Sequence, residues 1–168
     1  MKRVIIFIFL MVLSITLTLP AAGQKPDFSG DWKIDKLNSV LPEYLPTLLR
    51  ISIRIEGDSL FTERVYEGGD GQEYPFNESL TMDGKEYRIT IYDMPRKLKA
   101  YRAEQDESLI VESTTTFNGQ SGTEDFISRE TWKINKENNT FTIYFKNTIS
   151  GGESEGHFLF NRVEQVKQ

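Results

Sequence analysis

From residue 24 to residue 165 the chain alternates apolar and polar residues in short runs, and no stretch keeps a helical period beyond a turn or two. Turn signals interrupt the runs about every ten residues, the spacing of an all-β sandwich or barrel. A chain built only of such zigzags must close its sheet or pack two sheets together, because unpaired edges are templates for aggregation. The pattern predicts an all-β fold, two packed sheets or a closed barrel of about 8–10 strands, and such a barrel has an interior filled by side chains or holding one small ligand.

The clearest strand sets Leu49, Ile51, Ile53 and Ile55 against Arg50, Ser52, Arg54 and Glu56. Gly57-Asp58 then suits a tight hairpin, and Asp83-Gly84 is a stronger signal of the same kind. The latter is expected to join a strand ending at Met82 to one running from Lys85 to Tyr92. Further strands are expected at 96–104, 108–117, 124–135, 139–149 and 156–164. Between the first strand, around Trp32 and Ile34, and the second lies a segment (37–47) with Pro42 and Pro46 around Leu41, Tyr44 and Leu45. It reads as an irregular connection or a short helical lid laid on the barrel end.

Hairpin geometry assigns the faces, since strand side chains point alternately to opposite sides. A two-residue turn at Gly57-Asp58 sets Ile55 opposite Leu60, Ile53 opposite Thr62, Ile51 opposite Arg64 and Leu49 opposite Tyr66. A four-residue loop at 136–139 sets Ile134 opposite Phe141, Trp132 opposite Ile143, Glu130 opposite Phe145, and Ser128 opposite Asn147. The isoleucines and Trp132 belong inside, so Arg64, Ser128, Glu130 and Asn147 follow them, and Ser113 and Thr115 share the inward parity of Leu109 and Val111. The lumen is expected to be lined by Ile53, Tyr87, Ile89, Val111, Phe126, Ile143 and Phe145. An unpaired buried ion costs several kcal/mol. Either Arg64 and Glu130 pair with each other, or the interior is wet, or a ligand completes the site. Arg64, Tyr87, Ser113, Ser128, Glu130 and Asn147 are therefore the candidate ligand-binding residues.

Other features narrow the function. Residues 1–23 carry Lys2 and Arg3, an apolar run from Val4 to Leu19, then Pro20, Ala21, Ala22 and Gly23. This is the layout of a secretory signal peptide cut after Gly23, with an uncleaved anchor as the rival reading. Residues 24–168 then form one barrel domain, secreted or periplasmic, without stable membrane insertion of the mature chain. No cysteine stands at the cut to take a lipid, and the chain has none elsewhere, so disulfides and thiol chemistry are excluded. The formal charge of −5 becomes −7 when Lys2 and Arg3 leave with the leader, which argues against nucleic acid as a partner. His157 is the single histidine, expected at an exposed position, so a two-histidine metal site cannot form within one chain. No catalytic residue, metal or cofactor is assigned. A carboxylate pair of Glu130 with Glu78 would need the Asp83-Gly84 turn to set Leu80 opposite Tyr87. Oligomeric state is not written in the residues.

The run Phe28-Ser29-Gly30-Asp31-Trp32-Lys33-Ile34-Asp35, followed by Lys36 and Ser39, resembles the opening of the small secreted lipocalin-like proteins of bacteria. The hairpin from Trp132-Lys133-Ile134 to Thr140-Phe141-Thr142-Ile143 is similar to theirs as well. The resemblance implies a single antiparallel up-and-down barrel of the calycin type, lipocalin-like, with a pocket for a small apolar or amphipathic molecule. It also implies that Gly30 and Trp32 close one barrel end beneath a late-strand arginine, Arg162 by position and parity. The disulfides and long C-terminal helix of eukaryotic lipocalins have no counterpart here. Fatty-acid-binding relatives have ten strands and a helical lid after the first, which the proline-broken 37–47 segment matches poorly. Three function classes stay open: a small-molecule binder, a filled barrel acting through its surface as an envelope structural or inhibitor-like module, and an enzyme.

Overall fold

The computed structural model describes residues 26–42, 46–106, 108–119 and 122–164. The leader expected at 1–23 and the apolar Tyr44 and Leu45 lie outside the described residues. Ten strands follow one another: β1 (Gly30–Ile34), β2 (Thr47–Glu56), β3 (Ser59–Glu67), β4 (Glu73–Thr81), β5 (Tyr87–Ile91), β6 (Met94–Arg102), β7 (Leu109–Gly119), β8 (Gly122–Asn135), β9 (Thr140–Ile149) and β10 (Gly152–Arg162). They form one antiparallel sheet in the order β4-β3-β2-β1-β10-β9-β8-β7-β6-β5. Because β1 pairs with both β2 and β10, the meander curls round on itself into a nearly closed up-and-down barrel. One seam, between β4 and β5, has no strand pairing. Among the described residues the only helical piece is a turn of 3-10 helix, Lys36–Asn38, capped by the Asp35 carboxylate. No described helix is long and apolar enough to cross a membrane.

The Gly57-Asp58 hairpin pairs Ile55 with Leu60, Ile53 with Thr62 and Ile51 with Arg64. The β8–β9 hairpin pairs Ile134 with Phe141, Trp132 with Ile143, Glu130 with Phe145 and Ser128 with Asn147. Two expectations fail. A β-bulge at Leu49 shifts the register, so Leu48 and not Leu49 stands opposite Tyr66; Leu48 is fully buried. The extra residue of a bulge reverses the parity beyond it. Asp83-Gly84 does not join two paired strands either. Its Gly84 N–H donates to Ala100 O at 2.8 Å and Asp83 bridges to Tyr101, so the turn docks on β6. Leu80 faces Leu60 across β3, not Tyr87. The hairpin on this side is β5–β6, where Ile91 pairs with Met94 around Tyr92 and Asp93, at φ 47° and 65°. Positive φ at both central residues is the tight turn usually given to Asn-Gly or Gly-Gly. Here two residues with side chains adopt it.

One end of the barrel is plugged by aromatic rings. Trp32, Phe28, Trp132, Phe141 and Phe160 are all buried. Phe141 sits at the centre, 5.4 Å from Trp32, 5.3 Å from Trp132 and 5.4 Å from Phe160 between ring centroids. The edge-on and offset arrangements suit the ring quadrupoles. Trp32 Nε1–H donates to Phe28 O at 2.9 Å. Arg162, the register partner of Trp32, places its guanidinium carbon 4.3 Å above the indole. Gly30 lies under the same guanidinium: at its φ of +134° an added Cβ would stand 2.4 Å from Arg162 Nη1.

Candidate functional site

The strands carry the interior from plug to opening in ordered layers. Along β8 the inward residues run Trp132, Glu130, Ser128, Phe126; along β9 they run Phe141, Ile143, Phe145, Asn147, Ile149; along β6 they run Ala100, Leu98, Arg96, Met94. Next to the plug lies a buried chain of four ions. Arg64 grips Glu130 with both terminal nitrogens, Nη1 to Oε1 at 2.8 Å and Nη2 to Oε2 at 3.0 Å. Trp132 Nε1–H donates to the same Oε2 at 2.7 Å, tying the plug to the ions. Arg64 Nε lies 3.1 Å from Glu78 Oε2, a charge contact off the hydrogen-bonding axis, since neither atom has a hydrogen-bond partner. Glu78 Oε1 accepts from Arg96 Nε at 2.9 Å, and Arg96 Nη1 donates to Thr115 Oγ1 at 2.9 Å. Tyr66 OH accepts from Arg64 Nη1 at 3.2 Å.

Two arginines and two glutamates cancel in charge. Bidentate arginine–carboxylate geometry is the strong form of the ion pair, and it lets the interior hold ions that would be costly singly. Burial pushes the Glu130 carboxyl up, but the Arg64 guanidinium and the donors from Arg64 and Trp132 outweigh it and hold it below the usual carboxylate range. Burial likewise opposes the charge on Arg64, while Glu130 and Glu78 more than offset that and keep it firmly protonated. Burial raises the Tyr66 hydroxyl above its ordinary value.

On the far side of the ions the barrel is open. A cavity of about 600 Å³ is walled by Tyr66, Tyr74, Phe76, Ile91, Tyr92, Met94, Phe117, Phe126, Phe145, Ile149 and Phe158. Its polar lining comprises Arg96, Thr115, Ser128, Glu130 and Asn147, and Pro42 and Pro46 of the β1–β2 connection also line it. Apolar walls with a few placed polar groups, in this volume range, are the composition of small-molecule sites. The interior is thus half filled. Phe126 and Phe145 of the expected lumen reach the cavity, whereas Ile53, Val111 and Ile143 are packed into the core.

Of the six candidate residues, Ser128, Glu130 and Asn147 line the cavity together. Arg64 is buried behind it, 1 % exposed, with its terminal nitrogens on Glu130. Ser113 is buried opposite Ser128. Tyr87 stands apart at the start of β5, its hydroxyl 2.9 Å from Thr81 Oγ1. His157 is half-buried, not free in solvent: the connection folds over it, with Nε2 3.1 Å from Asn38 O and Val40 bridging its backbone. Two residues that complete the ion chain escaped the candidate set. Glu78 shares the inward parity of Leu80, and Arg96 that of Leu98 and Ala100. The alternation Arg96-Lys97-Leu98-Lys99-Ala100 carried the signal. No protein-family model matches this sequence, and a search of curated proteins finds no match.

Proposed function

We propose that this protein is an exported barrel that binds a small apolar or amphipathic molecule in the open half of its interior. The observation carrying this reading is the cavity of about 600 Å³ that reaches Glu130 through largely aromatic and aliphatic walls. A barrel acting only through its outer surface has no need of such a space, and packing it shut with larger side chains would increase stability. The buried ions fit the reading too. They form a charge-balanced floor on which apolar walls stand. Export rests on the layout of residues 1–23, and N-terminal sequencing of the exported protein should begin at Gln24.

The binding test uses a neutral apolar dye, N-phenyl-1-naphthylamine, and native mass spectrometry of the purified protein. The dye should brighten on binding with one site per chain, and Ile149→Trp, which fills the cavity, should weaken it about tenfold, a loss of ~1.4 kcal/mol. Absence of dye binding, together with a native mass equal to the bare chain, would overturn the reading.

A further inference from the structure

Resting on that reading, the cavity also constrains the polar end of its ligand. We propose that this end is uncharged, a hydroxyl, amide or carbonyl group that meets Ser128 and Asn147. The two residues face each other across β8 and β9, each is 7 % exposed, and both line the cavity. Asn147 Oδ1 is buried with no hydrogen-bond partner, and among the described residues neither side chain makes a hydrogen bond. A buried amide left unpaired is costly, and an amide offers a donor and an acceptor at once. A neutral group that donates or accepts satisfies it. The Ser128 hydroxyl, which can do either, stands beside it.

The charges of the interior point the same way. Glu130, the one acid among the described lining residues, has both oxygens taken by Arg64 and Trp132. Arg96, the one cation among them, gives its Nε to Glu78. The four ions sum to zero, so a carboxylate, phosphate or ammonium on the ligand would leave an unbalanced charge beside buried groups. The net charge of −5 further disfavours approach of an anion.

Three probes with one tail and different heads separate the possibilities: 1-decanol, decanoate and decylamine, each competing with N-phenyl-1-naphthylamine at pH 8, where the last two are ionised. Decanol should displace the dye at about tenfold lower concentration than either ion. Asn147→Leu should erase about tenfold of decanol affinity, the worth of one good hydrogen bond, and change dye affinity by a smaller factor. Ser128→Ala, a milder change, should weaken decanol in the same direction. Stronger binding of decanoate or decylamine, or a decanol affinity indifferent to both substitutions, would overturn the proposal while leaving the cavity a binding site. Failure of the dye and all three probes would instead remove the binding reading itself.

Discussion

Arg64 is held by two carboxylates and lies 5.2 Å from the Trp132 ring, so its removal leaves the buried Glu130 without its cation and Glu78 with Arg96 alone. Arg64→Met should therefore destabilise the fold by about 3–5 kcal/mol, the cost of breaking a buried pair from one side, as read by urea denaturation. Arg162 offers a contrast. It is exposed at its edge and lies over a buried indole, and its Nε also donates to Asn139 Oδ1 at 3.1 Å. Arg162→Ala should cost about 1 kcal/mol and shift the Trp32 emission. Unchanged emission would show that the cation does not sense the ring. Both inward ions were legible from the two hairpins that fix their register. Arg96 was not, because an arginine followed by Lys97 shows no inward role until its partner Glu78, two strands earlier, is in place.

At the scale of elements, the weakest place is the seam between β4 and β5. Side chains close it where backbone does not: Arg96 reaches Glu78 at 2.9 Å, Tyr92 OH donates to Pro75 O at 2.5 Å, and Tyr92 stacks edge-on to Tyr74. β5 has five residues and pairs only with β6, so its outer amides lack strand partners. Hydrogen exchange should find β5 the least protected of the ten strands. Tyr92→Ala should speed that exchange further and cost about 1 kcal/mol, with β1 and β8–β10 unaffected. The seam was hidden in the sequence because Asp83-Gly84 is the stronger turn signal, yet it serves a docking contact. The hairpin that exists, at Tyr92-Asp93, lacks the glycine that would announce it. The Leu49 bulge was equally silent, since an added residue changes parity without changing composition.

For the whole molecule, charge sets the response to pH. The Glu130 carboxyl titrates lower in the folded state than in the unfolded chain. Its contribution is complete above the unfolded carboxylate pKa, about 4.3, and is lost as pH falls through the folded value. Asp106, held to about 2 by hydrogen bonds from Lys133 and Ser108, acts in the same direction at the exposed surface. Stability should fall steadily below about pH 4.5. Glu130→Gln should lower stability at neutral pH and flatten the acid limb, which melting curves between pH 3 and 7 would reveal. A parallel acid limb in the variant would assign the pH dependence to surface groups.

The period-2 alternation and the turn signals by themselves determined an all-β meander of about ten strands, and the two clean hairpins determined which side chains turn inward along β3, β8, β9 and the part of β2 from Ile51 onward. These are local properties, fixed by the strand's two-residue repeat and by the turns that set register. Tertiary structure alone decided where the sheet stays unpaired and that Glu78 and Arg96 extend the Arg64–Glu130 pair into a neutral chain. It alone decided that the interior is packed at one end and forms a cavity at the other. The ion chain and the open end depend on how the curled sheet brings several strands together, and the seam depends on two consecutive strands failing to pair; no single strand's pattern encodes either.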